Sequence, residues 1–273
     1  MLVLVVTLAI GLWLIMISAW AFQRWVDNPG WVDVFWTFGT GTAGVVAALY
    51  PMAGQIANHL WPTDRQLLVS ALVATWSLRL GVYMAIRVAT SPEDARYIQL
   101  RENWGASFQR RMFVFMQNQG IGSIVFPLSI LIAARNPAPG LRATDWLGAA
   151  ILVIAIIGES LADRQMRRFK AAPTNRGKVC DVGLWSWSRH PNYFFEWLGW
   201  FAYPVIAMDF SGAYPWGVLA LSAPALMYWV LNHGTGTPHL ERHMARSRGE
   251  AWQHYRARTN AFIPLPPSRS AAP

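Results

Sequence analysis

Cysteine, acidic residues and charge of either sign are all scarce in this sequence. Cys180 is the one cysteine in 273 residues, so no intramolecular disulfide can form and nothing points to an oxidising compartment. Charged residues make up 14% of the chain, where a soluble domain carries about 25%, which argues against a water-soluble fold. Internal repeats are absent. A charged leader and a small-residue cleavage site are missing from the first apolar run, which is therefore expected to be a retained helix rather than a signal peptide. No Ser-His-Asp arrangement can be assembled. Gly39-Thr-Gly-Thr-Ala-Gly44 matches a dinucleotide fingerprint in letters only, because no strand precedes it. Small residues inside an apolar helix serve close helix packing instead. His239 and His243 are one helical turn apart, but Glu241 stands in the wrong place for a zinc-protease motif and no third ligand follows, so no metal is expected.

What remains is apolar and aromatic. Hydrophobic residues are 54% of the chain and Trp alone occurs 16 times. The formal net charge of +9 does not mark a nucleic-acid binder, because the bases are confined to segments between apolar runs. Runs long enough to cross a bilayer, roughly 17–25 residues each, lie near 2–22, 31–50, 67–87, 112–134, 145–162, 193–210 and 213–232. The expected fold is an all-α polytopic integral membrane protein with seven transmembrane helices. It is read as a single membrane domain over 1–273, with substrate-side helices in 1–134, cofactor-binding helices and loops in 135–264, and a disordered tail over 265–273. The loops at 88–111 and 163–192 and the C-terminal tail carry most of the Lys and Arg, whereas the opposite loops hold Arg65, Arg135 and Arg142. That bias puts the C-terminus in the cytoplasm and the N-terminus outside. Short cytosolic interfacial helices are expected from Ser91-Pro92 to Trp104, from Thr237-Pro238 to about Arg248, and from Glu250 to Arg258.

Ionisable residues fall inside four of these runs: Asp33, Arg79, Glu159 and Glu196. Such residues are costly in hydrocarbon and usually face a partner or a cavity. A buried structural pair of Asp33 with Arg79, and glutamates in headgroup water, is the plain alternative. All four lie in the cytoplasmic half of their helices under the deduced orientation, which favours a shared polar cavity. Asp163, Arg167 and Lys170 continue the face of Glu159 at helical spacing. Acids near the membrane and bases further out suit a nucleotide, with acids on sugar hydroxyls or amide and bases on phosphates. In the next loop Pro191 fits the first turn of a helix starting near Asn192, whose free N–H groups face a cationic loop. Glu196 shares a face with Asn192 there. A basic anchor with an aromatic belt explains this stretch equally well.

The run Gly183-Leu-Trp-Ser-Trp-Ser-Arg-His-Pro-Asn-Tyr-Phe-Phe-Glu196, with Glu159 through Asp163 to Arg167, resembles the cofactor half of the steroid 5α-reductase superfamily. Val32-Asp-Val-Phe-Trp36, Trp76 to Gly81 with Arg87, Glu93 to Gly105, and the tail from Thr237 to Pro264 resemble the bacterial branch of that superfamily. The resemblance implies a bacterial inner-membrane reductase taking NADPH from the cytosolic side and reducing a carbon–carbon double bond conjugated to a carbonyl in a lipophilic substrate. By position it assigns Glu159, Asp163, Lys170, Lys178, Asn192 and Glu196 to the dinucleotide. Arg167, Arg176, Arg189, His190, Tyr193, Asn232 and His233 complete that set. Asp33 matches the family's acid on the second helix, with Arg79 and Tyr83 as the other catalytic candidates. The chain departs from the steroid enzymes where Trp76 replaces their third-helix tyrosine and Val32-Asp33 their Gln-Glu pair, so cofactor use is better carried over than a steroid substrate.

The Arg-His-Pro-x-Tyr stretch also resembles isoprenylcysteine and phospholipid methyltransferases, which use S-adenosylmethionine, although Asp33, Arg79 and Arg96-Tyr97 have no evident place there. A non-catalytic lipid-binding membrane protein is the third reading. Membrane lipids and a lipophilic small molecule are the expected partners, with no nucleic acid.

Overall fold

The computed structural model describes residues 1–51, 54–58, 60–234 and 236–268. Regular structure among them is helical: α1 Leu2–Val26, α2 Trp31–Leu49, α3 Asp64–Thr90, α4 Ala95–Trp104, α5 Phe108–Gly122, α6 Val125–Ala134, α7 Ala143–Ala171, α8 Leu184–Trp187, α9 Pro191–Gly199, α10 Ala202–Ala207, α11 Ser222–His233 and α12 Thr237–Arg258. An isolated bridge joins Ser188 and Asn260.

Five helical runs are long and apolar enough to cross a membrane: α1, α2, α3, the stretch Arg96–Ala134, and α7. Large apolar side chains on them point outward, with Leu2 77%, Leu78 59% and Ile157 61% exposed. That is the surface of an integral membrane protein, where lipid covers what water would reject. The expected sixth and seventh spans are built from shorter pieces. α9 stops at Gly199, α10 covers six residues, and a 3-10 helix Pro215–Leu221 leads into α11. Pro204, Pro215 and Pro224 remove backbone donors there, and Gly212 sits at φ 81° in the intervening turn.

Short helices form where the sequence places them. α4 is capped by Asp94, whose side chain accepts from the Arg96 N–H, rather than by Ser91. Gly105 at φ 48° ends it. α12 is two helices joined at a kink, Gly249 at φ 50° and ψ −121°. Within the expected disordered tail, the Leu265 N–H donates to Trp187 O and the Ser268 N–H to Arg258 O; residues 269–273 lie outside the described residues.

The chain divides into two compact units, Met1–Ala149 with Ala202–Ala223 and Ala150–Phe201 with Pro224–Pro273. In the first, α2 packs against α1, α3 and α6. Its small residues permit the approach: a side chain on Gly44 would meet Ile130 and Val73, and one on Gly41 would strike Ser77. Met16, Val32, Tyr97, Met112 and Met116 form one apolar cluster, and Leu4, Leu8, Leu12, Ala47 and Leu131 another. The loop from α6 to α7 is pinned by Arg65. Its Nε and Nη2 reach the two oxygens of Asp145 at 2.8 and 2.9 Å, and its remaining donors take the carbonyls of Asn136, Ala138 and Gly140.

The second unit is stapled by aromatic side chains. Trp185 Nε1 donates to Ala162 O on α7, and Tyr255 Oη donates to Trp185 O. Phe262 packs edge to face against Phe194, Trp197 and Tyr228, and Trp197 meets Tyr228 at a tilt.

Candidate functional site

In the first unit, Asp33 stands in the first turn of α2. Arg96 Nη2 lies 2.7 Å from its Oδ2, and the Tyr97 hydroxyl donates to Oδ1 at 3.2 Å. Both partners come from α4, so one short helix closes over the start of α2. Asp94 extends the network, accepting from Arg96 Nε at 3.2 Å and Arg87 Nη2 at 2.8 Å. Burial would push the Asp94 carboxyl up, but Arg96 and Arg87 outweigh it and hold it at about 2. A small solvent-open cleft runs beside this network, lined among others by Asn28, Asp33, Arg87 and Asp94. Tyr97 is the inner end, only 3% exposed. Asp33 thus touches the open cleft on one side and a buried hydroxyl on the other. Arg79 lies over the Tyr83 ring, 5.5 Å from its centroid, so those two candidates meet on α3.

In the second unit, α7 presents the expected face. Glu159 and Asp163 are buried at 6% and 5% exposure, and Arg167 and Lys170, further along the helix, are exposed. Arg176 and Lys178 are exposed in the turn that follows. Gln165 Oε1 accepts from the Leu184 N–H at 2.9 Å, fixing where the next loop begins. Cys180 is buried among these segments, and burial pushes its thiol up to about 11, which keeps it protonated and inert.

The Arg-His-Pro turn is knotted to the far end of the chain. Arg189 Nε and Nη2 both lie 2.8 Å from Glu241 Oε1, and its Nη1 donates to Arg256 O and Thr259 O. His190 Nε2 is 3.3 Å from the same Glu241 oxygen. Burial opposes the charge on Glu241, but hydrogen bonds from His190 and Arg189 hold its carboxyl at about 2. An ionised carboxylate only accepts, so Nε2 of His190 carries the proton. Burial lowers the His190 pKa against the pull of Glu241, leaving a neutral ring stacked on Tyr193, centroids 5.6 Å apart. The Arg189 N–H donates to Asn260 O, and Ser188 Oγ donates to Phe262 O.

Asn192 and Tyr193 lie in the first turn of α9, where the helix was expected to start, and are half-buried. Glu196 is buried one turn on and accepts from Trp200 Nε1 at 3.0 Å. Asn232 donates to Tyr228 O within its own helix, and the exposed His233 ring lies 6.1 Å from Tyr228.

Residues 19–259 match a protein family described as "Protein of unknown function (DUF1295)". The chain belongs to this family. It also aligns with an uncharacterised protein of Schizosaccharomyces pombe, 24% identical over 218 residues. That alignment covers 70% of this chain and 61% of the relative, so the chain spans less than two thirds of the yeast protein's length. No solved structure matches the chain.

Three residues of this DUF1295 chain gain roles that sequence spacing did not give them. Arg96 and Tyr97 stood out only as part of a matching segment, and the structure brings both to Asp33. Glu241 stood out only as a misplaced acid between two histidines, and it organises Arg189 and His190. Arg189 is correspondingly a positioning residue, with nearly all its N–H groups committed to protein acceptors.

Proposed function

We propose that this DUF1295 protein is an NADPH-dependent membrane reductase of the steroid 5α-reductase superfamily, acting on a lipophilic substrate with a C=C bond conjugated to a carbonyl. The observation that carries the reading is the α7 face, acids buried and bases exposed in the order a dinucleotide requires. Buried Glu159 and Asp163 suit ribose hydroxyls or the carboxamide, which donate to carboxylates; exposed Arg167, Lys170, Arg176 and Lys178 suit phosphates. The residues present therefore fit the cofactor. NADPH, when bound, supplies the hydride.

The chain's own task is then to hold the substrate carbonyl, stabilise charge developing on its oxygen, and deliver a proton. Asp33 was the expected acid, but its two oxygens are engaged by Arg96 and Tyr97. The O–H at this position belongs to Tyr97; it is donated to Asp33 at rest and turns to the substrate carbonyl in this reading. This supports Tyr97 in the place Tyr83 was expected to fill.

The reading includes seven membrane crossings, with α9–α10 and the 3-10 helix with α11 making the last two. It puts the C-terminus and cofactor loops in the cytoplasm of a bacterial cell, on the charge bias of the loops. The test is thermal unfolding of the purified chain with NADPH, NADH and S-adenosylmethionine, since a ligand bound only by the folded state raises the melting temperature. Stabilisation by NADPH is the expected result. Stabilisation by S-adenosylmethionine alone would replace the reductase with a methyltransferase.

A further inference from the structure

The start of α12 holds a buried hydroxyl with no hydrogen-bond partner among the described residues. It is Oγ1 of Thr237, which is 9% exposed. Buried polar atoms in folded proteins are almost always satisfied, so an orphan hydroxyl marks a group that something else completes. Thr237 is the first residue of a helix that no side chain caps, and Pro238 follows it. Both described glycines before it are closely packed: a side chain on Gly236 would strike the Leu231 carbonyl, and one on Gly234 would lie 2.8 Å from Val230 O. An uncapped helix start presents its free backbone donors, Pro238 having none, and the positive end of the helix dipole to an acceptor.

Charge at this point favours an anion. Arg242 donates from Nε to Pro238 O at 3.1 Å, which places its guanidinium beside the first turn. The first turn holds no acid; Glu241 follows it, with its charge met by Arg189 and a hydrogen bond from His190. Glu241 also fixes the location. It lies one helical turn after Thr237 on the same face, and through His190 it is tied to the Tyr193 ring at the start of α9.

We propose that the Thr237 hydroxyl and the start of α12 bind a phosphate group. Resting on the reductase reading above, that phosphate belongs to the dinucleotide. The same chemistry would take the phosphate of an anionic lipid, and the experiment separates the two sources.

The full chain in nanodiscs of phosphatidylcholine is compared as wild type, Thr237→Val and Thr237→Ser. Each is titrated with NADPH and, separately, assembled with increasing phosphatidylglycerol, with melting temperature read throughout. Thr237→Val keeps the shape and removes only the hydroxyl, so without ligand it should melt no lower than wild type. Its NADPH affinity should fall about ten- to a hundred-fold, the loss of one hydrogen bond to a charged group, while Thr237→Ser stays near wild type. Unchanged NADPH affinity in Thr237→Val overturns the assignment and leaves the reductase reading standing. A markedly lower melting temperature without ligand overturns it too, because the hydroxyl is then structural. Stabilisation by phosphatidylglycerol but not NADPH, lost in Thr237→Val, keeps the phosphate site and removes the dinucleotide. A wild type that responds to neither removes both.

Discussion

Arg65 and Asp145 form a bidentate pair with both nitrogen–oxygen distances under 3 Å and both side chains buried, at 5% and 0% exposure. Arg65 also takes three loop carbonyls, so its removal leaves the buried carboxylate to Arg142 and strands three acceptors. Arg65→Ala should cost about 3–5 kcal/mol, the range for breaking a buried pair from one side. Thermal unfolding in detergent checks it. A variant melting within a degree of wild type would show the pair to be dispensable.

Tyr97→Phe deletes one oxygen from an otherwise well-packed ring. On the reading of Tyr97 as proton donor, turnover of an enone should drop about 10²–10⁴-fold, the usual contribution of a general acid. Asp33→Asn should lower turnover strongly as well, with NADPH affinity nearly unchanged in both variants. If cofactor affinity collapses with turnover, Asp33 and Tyr97 hold the fold rather than the reaction.

Lys170→Gln and Lys178→Gln should each weaken NADPH binding several-fold, more at low salt than at high. Exposed charges act on phosphate through screened attraction. Titration at two ionic strengths is the check, and a salt-independent loss would point to misfolding of the loop instead.

The His190–Glu241 contact gives stability a pH signature. Burial lowers the His190 pKa below its usual 6.5, so the folded state binds fewer protons there than the unfolded state. Stability from this residue is full above about 6.5 and declines as pH falls below it. Glu241 is depressed from 4.5 to about 2, so its contribution is full above about 4.5 and disappears as pH falls through 2. Melting temperature should therefore drop between pH 7 and 5 in the wild type and drop less in His190→Asn. Equal slopes would show that His190 titrates freely.

Much of the fold could be read from the sequence because hydrocarbon allows few solutions. Apolar runs of bilayer length became α1, α2, α3, α5–α6 and α7, and the small residues of α2 became packing contacts as expected. The region after Pro191 was less legible. Its hydropathy is continuous, but three prolines and Gly212 divide the backbone, and hydropathy does not register missing donors. At the site, the α7 face was visible because helical spacing is local. The partners of Asp33 were not, since Arg96 and Tyr97 are more than sixty positions away and reach it only through the placement of α4. The role of Glu241 was hidden for the same reason.

The pairing of residues 187–190 with 259–265 has a temporal consequence. A ribosome making this chain releases the Arg-His-Pro turn some seventy residues before the strand of backbone that fixes it. Until Thr259 and Asn260 have emerged, Arg189 lacks two of its acceptors, and until Phe262 follows, Ser188 lacks its acceptor and the aromatic cluster one ring. A premature stop between Gly249 and Phe262 would leave every long apolar run made and the turn held by Glu241 without the rest of its clasp.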